Sequence, residues 1–174
     1  KLKLINCVGG GSSAYGFWSE FFDYNKKNVE LIGVEAGGPR NSRLHAAPLS
    51  KNSKIAILHG AAAYCVQDSD GQIDETDSCS SGLDYPSTSP IHCYLKDLGR
   101  ARYTFATDEE AFSAYKLVTD LEDISPSLEP SHSFAEAIKI APKLDSSNII
   151  VVNSCGDSLK DKDIIKKRLG SYSR

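Results

Sequence analysis

Five small residues near the start of the chain, Gly9-Gly10-Gly11-Ser12-Ser13, have the composition of an anion-binding loop. Glycines lack a Cβ, so successive backbone N–H groups can close on an oxyanion while the two serine hydroxyls add donors. That supply suits a single phosphate monoester, such as that of pyridoxal phosphate, better than a passing pyrophosphate. The same residues also satisfy a loose dinucleotide fingerprint, Gly9-x-Gly11-x-x-Ala14, and Glu35 falls near the place of a ribose-binding acid. An NAD(P)-dependent oxidoreductase therefore stays open beside a phosphate-cofactor enzyme, and a merely structural turn stays open beside both.

Other polar residues give weaker indications. Glu129 and His132, in Leu128-Glu129-Pro130-Ser131-His132, fall at a helix start, where capping free amides is a more natural role for the carboxylate than catalysis. Asp84, in Gly82-Leu83-Asp84-Tyr85-Pro86, is either a turn former or a charge able to pair across a mobile interface. His45, His59 and His92 lack the mutual spacing of a metal site and read as structural or surface histidines. No Ser/His/Asp triad and no covalent nucleophile can be argued from order alone. The five cysteines, Cys7, Cys65, Cys79, Cys93 and Cys155, are odd in number and include no CxxC, which argues against a disulfide framework and a zinc ribbon. Most read as small buried hydrophobes in a reducing compartment.

Positioning these residues requires an alternating α/β chain. Leu2 to Val8 is an apolar run ending at the glycines, and Ala14 to Phe22 repeats apolar positions at helical spacing. Val29 to Glu35, Ile55 to Leu58 and Tyr64 to Gln67 predict further strands, and Arg102 to Ala106 another. Thr107 reads as the N-cap of a helix whose first turn carries Asp108, Glu109 and Glu110. A helix from Ser131 to Lys143, a strand from Asn148 to Asn153 and a basic helix from Lys162 to Leu169 complete the series. The pattern predicts a three-layer α/β sandwich, helices on both faces of a mostly parallel sheet. Between Ser69 and Pro90 the composition turns to Ser, Asp, Gly and Pro, either a low-complexity linker or a structured loop that buries Ile73, Leu83 and Tyr85.

With 174 residues, 40% hydrophobic and 25% charged, the chain is sized for a single domain over 1–174. A domain of this size buries roughly 70% of its unfolded surface and needs no covalent staple. A net charge of −3 gives no footprint for nucleic acid or anionic lipid. No apolar run approaches the roughly 18 residues of a membrane span, and no signal peptide opens the chain, so a cytoplasmic protein with small-molecule or protein partners is expected. Methionine is absent even at position 1, which reads as a segment cut from something longer.

Several segments together resemble one family. Cys7-Val8-Gly9-Gly10-Gly11-Ser12, Leu31-Ile32-Gly33-Val34-Glu35, Gln67-Asp68-Ser69-Asp70-Gly71-Gln72-Ile73, Ser81-Gly82-Leu83-Asp84-Tyr85-Pro86, Leu98-Gly99-Arg100-Ala101, Thr107-Asp108-Glu109-Glu110-Ala111, Leu128-Glu129-x-Ser131-His132 and Val151-Val152-Asn153 follow the order and spacing of tryptophan synthase beta chains. The likeness runs from about Lys3 to Asp163. The glycine loop is shared with other pyridoxal phosphate enzymes of fold type II. The Gly-Leu-Asp-Tyr-Pro and Leu-Glu-x-x-His segments are more particular.

The resemblance implies the C-terminal part of an enzyme that condenses indole with L-serine to give L-tryptophan and water, in tryptophan biosynthesis. It implies pyridoxal 5′-phosphate, a monovalent cation (sodium or potassium), a beta–beta homodimer and a tryptophan synthase alpha chain as partner, with no nucleic acid or membrane. It also implies that the Schiff-base lysine, in a His-Lys-x-Asn motif, the catalytic acid and the mobile domain lie upstream of the glycine loop. No lysine here stands in that motif, so no catalytic residue is expected within these 174 residues and the isolated fragment is expected to be inactive. A non-catalytic binding module on the same fold is the further alternative.

By the same resemblance, Gly9, Gly10, Gly11, Ser12 and Ser13 would hold the cofactor phosphate, with Ser13 where the family usually has Asn. Glu129 would lie beside the pyridine ring, and Asp84 would pair with an arginine of the mobile domain on closure. Backbone oxygens of Val8, Gly9, Ala46, Leu83, Tyr85 and Ser87 would bind the cation, and Leu58 and His59 would line an indole channel. Three departures stand out. Pro39 to His45 is a shortened loop, Asp157-Ser158-Leu159-Lys160 replaces the usual Arg-Gly after Gly156, and Cys155 stands where a serine hydroxyl meets the pyridine nitrogen. Cys155 is expected to act there as a neutral, weak hydrogen-bond donor.

Overall fold

A computed structural model describes residues 1–51 and 53–170. Its elements run β1 (Leu2–Cys7), α1 (Ser12–Trp18), β2 (Val29–Ala36), β3 (Lys54–Leu58), β4 (Ala61–Cys65), α2 (Pro90–Asp97), β5 (Ala101–Ala106), α3 (Asp108–Glu122), α4 (Leu128–Ile140), β6 (Ile149–Val152) and α5 (Lys162–Leu169). β1, β2, β5 and β6 form a four-stranded sheet in the order β5-β2-β1-β6, every pairing parallel.

The apolar runs of β1 and β2 are continuous because both faces of the sheet are covered. In register, Leu4 pairs with Leu31 and Ile5 with Ile32. Leu4 and Leu31 join Ala14 and Trp18 of α1 and Cys93 and Leu95 of α2 in one buried cluster. Ile5, Ile32 and Val34 join Ala114 of α3 and Ala135 of α4 in another. The result is the three-layer arrangement expected from the alternation of elements. β6 is the sheet edge, so its apolar run is only half covered, with Ile149 and Val151 exposed.

Local chemistry sets several boundaries. The α3 start is the expected one: the Glu110 amide donates to Thr107 Oγ1 at 3.4 Å while Glu110 Oε2 accepts from the Thr107 amide at 2.8 Å, a reciprocal capping box. α5 has the expected span. α1 begins at Ser12, directly after Gly11, and gives way to a 3₁₀ turn at Ser19–Phe21, so it ends before the expected Phe22. α4 begins at Leu128, three residues before the expected Ser131, because the Asp161 carboxylate accepts from the Leu128 amide at 2.8 Å and supplies a cap from a distant turn.

β3 and β4 do not extend the parallel sheet. They pair antiparallel with each other, Leu58 opposite Ala61, across the two-residue turn His59-Gly60. Both turn residues have positive φ, 51° and 80°, which is the two-residue hairpin geometry that matches strand twist. The segment after β4 is largely irregular but ordered: an isolated bridge joins Cys65 to Ser87, and Cys79, Ser80, Leu83, Ser87 and Thr88 are buried. It is a structured loop, not a linker, but of the three residues expected to be buried only Leu83 is; Tyr85 is half-buried and Ile73 exposed. Among the described residues no helix is long and apolar enough to cross a membrane.

Candidate functional site

The parallel sheet places the glycine loop where ligands bind in open α/β folds, at the carboxyl ends of its strands. Gly9–Gly11 follow β1, and Gly11 (φ 94°) opens α1. The loop is pinned from below by His92 of α2, which is wholly buried. His92 Nε2–H donates to the Gly11 carbonyl at 2.8 Å, and Nδ1 accepts from the Tyr103 hydroxyl at 2.8 Å. Burial lowers the imidazole below its ordinary range, so the neutral tautomer that this geometry requires is the favoured one. His92 is thus the structural histidine expected, with a role in loop placement that spacing did not reveal. A second tie runs from the Ser89 amide to the Gly10 carbonyl, 3.2 Å.

The upper face of the loop is open. A Cβ on Gly10 would meet nothing within 4 Å, and Gly10 and Ser12 are exposed. Among the described residues the amides of Gly10, Gly11 and Ser12 donate to no protein acceptor. Gly10, Ser12, Tyr15, Ser89 and Ile91 line a cleft of about 390 Å³ over this face. Ser13 behaves differently from Ser12: its Oγ accepts from the side-chain amides of Asn6 and Asn153, both at 3.2 Å. Of the loop hydroxyls, only Ser12 is left turned to the cleft. Asn6 is a polar residue inside an apolar strand, a signal the sequence offered, and its Oδ1 is buried without a partner.

Glu129 is the second component. It is 7% exposed at the start of α4, and its Oε1 accepts from the Gly82 amide at 3.0 Å and from the Lys160 ammonium. Burial by itself would raise this carboxyl; hydrogen bonds, first from Lys160 and then from Ser127, outweigh it and hold Glu129 down at about 2. The capping role expected of Glu129 belongs to Asp161, and the carboxylate instead ties the Gly82–Tyr85 turn to α4. Packing there is tight: a Cβ on Gly82 would lie 2.3 Å from Glu129 Oε1, one on Gly9 2.8 Å from the Gly82 carbonyl oxygen, and one on Gly156 (φ 89°) 2.4 Å from Ser127 Oγ. Glu129 Oε2 is buried and unpartnered. Lys160 had no mark in the sequence beyond its place in a divergent turn.

Cys155 joins the same region from the end of β6. Its Sγ lies 3.6 Å from Cys7 Sγ. The hydrogen bond with Cys7 lowers Cys155 to about 6, aided by the Ser13 hydroxyl, while the same shared proton and full burial push Cys7 up. That shift favours Cys155 as the acceptor in its contact with Cys7.

The remaining candidates are distributed as follows. Ala46, Leu83 and Cys7 share a small buried cluster with Ala36, and Gly9 abuts Leu83, so three of the six residues expected to bind a cation, Gly9, Ala46 and Leu83, come together. The Tyr85 amide donates to the Leu83 carbonyl at 2.9 Å, and Ser87 Oγ donates to the Tyr64 carbonyl at 3.2 Å. Asp84 is exposed at the turn tip. His59 stands at the hairpin tip, stacked on Tyr85 at 5.8 Å with Nδ1 2.9 Å from the Tyr85 hydroxyl. Glu35 does not reach the glycine loop. It is 1% exposed, and its oxygens accept from the amides of Leu49 (2.9 Å) and Ser50 (2.7 Å) and from Ser50 Oγ (2.6 Å).

No family model matches the chain. It is similar to the tryptophan synthase beta chain of Chromobacterium violaceum, 46% identical over 162 residues, covering 92% of this chain and 40% of that relative. It is likewise similar to the tryptophan synthase beta chains of two strains of Rhodopseudomonas palustris, each 44% identical over 168 residues, covering 97% of this chain and 41% of the relative. The chain thus spans about two fifths of the length of these curated relatives. Among solved structures, a fungal L-serine ammonia-lyase from Rhizomucor miehei superposes with a TM-score of 0.60, covering 98% of this chain and 50% of that one. At 18% identity that likeness concerns the fold alone.

Proposed function

We propose that this chain, similar over nearly its whole length to tryptophan synthase beta chains, carries the cofactor-phosphate half of a pyridoxal phosphate site that joins indole to L-serine. The observation that carries the reading is the meeting of the open Gly10–Ser12 amides, the Gly82–Tyr85 turn, Glu129 and Cys155 at one end of a parallel sheet. The residues suit the group. An exposed glycine face offers unpaired N–H donors to a phosphate, and close-packed Gly9, Gly82 and Gly156 leave no room for larger residues around Glu129.

In this reading the amides of Gly10, Gly11 and Ser12 and the Ser12 hydroxyl take the phosphate oxygens. Gly9 keeps the loop close to Leu83, and Ser13, held by Asn6 and Asn153, orients Cys155 instead of binding phosphate itself. Cys155 would stand beside the ring nitrogen, with its thiol lowered by Cys7 toward the acceptor role. Glu129, ionised by Lys160, fixes the Gly82 turn and so the position of Asp84, which is free to pair with a cation on a closing element. Backbone oxygens of Val8, Gly9, Ala46, Leu83, Tyr85 and Ser87 provide hard ligands for sodium or potassium. When bound, pyridoxal phosphate supplies the electron-withdrawing ring that β-replacement at serine requires. Partnership with an alpha chain, pairing of beta chains and a cytoplasmic location belong to the same proposal.

The commitment of Glu35 to the Leu49–Ser50 turn favours this reading over a dinucleotide-dependent oxidoreductase. Titration of the purified protein with pyridoxal phosphate, inorganic phosphate and NAD(P) distinguishes them. Pyridoxal phosphate and phosphate should compete for one site that Gly10→Asp abolishes by adding a charge to the open loop face, and NAD(P) should not bind. Saturable NAD(P) binding that phosphate does not displace would overturn the proposal. Because none of the lysines stands in the Schiff-base motif, these 174 residues alone should form no tryptophan from indole and serine.

A further inference from the structure

Away from the glycine loop, three buried side chains converge on one point. Cys79 in the irregular segment, Asp108 at the start of α3 and His132 on the second turn of α4 each offer a metal-ligating atom, and the three atoms lie within 4.8 Å of one another. Cys79 and Asp108 are 8% exposed and His132 is fully buried. Two of the three have unmet bonding capacity: Asp108 Oδ1 and His132 Nε2 are buried polar atoms with no hydrogen-bond partner. Such groups are rare in folded proteins and mark strain, catalysis or an ion. His132 Nδ1–H donates to the Leu128 carbonyl at 2.7 Å, which fixes the tautomer and leaves the Nε2 lone pair as the free one. This is the outer hydrogen bond that metal-binding imidazoles ordinarily make to a backbone carbonyl or carboxylate.

From this geometry we propose that Cys79, Asp108 and His132 form a zinc site, independent of the glycine-loop reading above. The donor set of one sulfur, one imidazole nitrogen and one carboxylate oxygen matches Zn²⁺, whereas an oxygen-seeking ion such as Mg²⁺ or Ca²⁺ would avoid the thiolate. Ideal Zn–S, Zn–N and Zn–O lengths in a tetrahedron place the ligand atoms about 3.3–3.6 Å apart, so closure needs a contraction of at most about 1.5 Å. On binding, the Cys79 thiol releases its proton to solvent, and thiolate plus carboxylate balance the dication. Entry is provided by a cleft of about 400 Å³ whose lining includes Cys79, Asp108, Pro39, Phe112 and Lys167, and a water from that cleft completes four-coordination. The ion ties the segment that leads into Gly82 to α3 and α4, one helical turn from Glu129.

Zinc K-edge absorption on the purified protein, stripped with chelator and reloaded with one equivalent of Zn²⁺, tests the proposal without any variant. The expected first shell contains one sulfur at about 2.3 Å and nitrogen or oxygen at about 2.0 Å. No sulfur, or two sulfurs as a Cys7–Cys155 site would give, overturns it, as does failure to retain stoichiometric zinc. Cobalt loading gives the second measurement. A thiolate-to-cobalt charge-transfer band is expected in the wild type, and Cys79→Ser and His132→Gln should each weaken cobalt affinity at least about 100-fold. If Cys79→Ser fails to fold by circular dichroism, Cys79→Ala replaces it, and a band that survives in a folded Cys79 variant overturns the assignment.

Discussion

His92 and Gly11 are built around each other: the imidazole donates to the Gly11 carbonyl at 2.8 Å, and a Cβ on Gly11 would lie 2.1 Å from the His92 ring. The glycine is required twice, by its φ of 94° and by the ring. Gly11→Ala should therefore destabilise the protein by about 2–4 kcal/mol, combining left-handed strain with overpacking. In chemical denaturation, the Gly11→Ala/His92→Ala double variant should lose less than the sum of the two single losses, because removing the ring removes half the conflict. Strict additivity would show that the two do not act as a unit.

Cys155 should be the reactive thiol of the chain. Its proton is shared with Cys7 and its value is lowered to about 6, while Cys7, Cys79 and Cys93 are raised and shielded. Alkylation followed by mass spectrometry should label Cys155 first, with a rate that rises through pH 6 and levels off by pH 7.5. Cys7→Ala removes the donor and should move that midpoint upward by at least a unit. An unchanged midpoint would remove Cys7 as the cause.

Glu35 should titrate late. Burial raises it to about 7 against the ordinary 4.5, despite three donors at its oxygens. A carboxyl raised in the folded state favours folding below the unfolded value, and that contribution is lost as pH rises from about 4.5 to about 7. Carboxyl ¹³C NMR should place the Glu35 midpoint near 7, and stability should decline across the same interval. A midpoint below 5 would contradict the arrangement.

Arg100 closes the turn after α1 with one guanidinium. Its Nε donates to the Phe22 carbonyl at 2.7 Å, Nη2 to Phe21 at 2.5 Å and Nη1 to Val29 at 3.3 Å. A lysine cannot fork to three carbonyls, so Arg100→Lys should destabilise by about 1–3 kcal/mol in urea denaturation. A change below about 0.5 kcal/mol would mean water replaces the guanidinium without penalty.

Elements defined by local chemistry were legible from sequence. The apolar run into three glycines, the Thr107/Glu110 box and the span of α5 need only neighbours within a few positions. What escaped depends on partners far along the chain. Ser13 reads as a phosphate ligand until Asn6 and Asn153, 7 and 140 residues away, turn its hydroxyl inward. Glu129 reads as a cap until Lys160, 31 residues on, claims it and Asp161 takes the capping role. Ile55 to Leu58 reads as one more strand of the sheet, yet Ile55 and Ile57 are 63% and 72% exposed, because β3 pairs only with β4 across the positive-φ turn His59-Gly60.

The pairing of the first strand with the last has a kinetic consequence. β1 pairs with β6, which begins only after Asn148, and Cys7 meets Cys155 across 148 residues. Contacts of such separation form late, since the loop they close must be ordered before they return any stabilisation. Without β6 docked on β1, Ser13 lacks one of its two side-chain amide donors and Cys155 is away from Cys7. Site assembly is thus tied to one long-range pairing: the glycine loop and Cys155 come together only where β6 lies against β1.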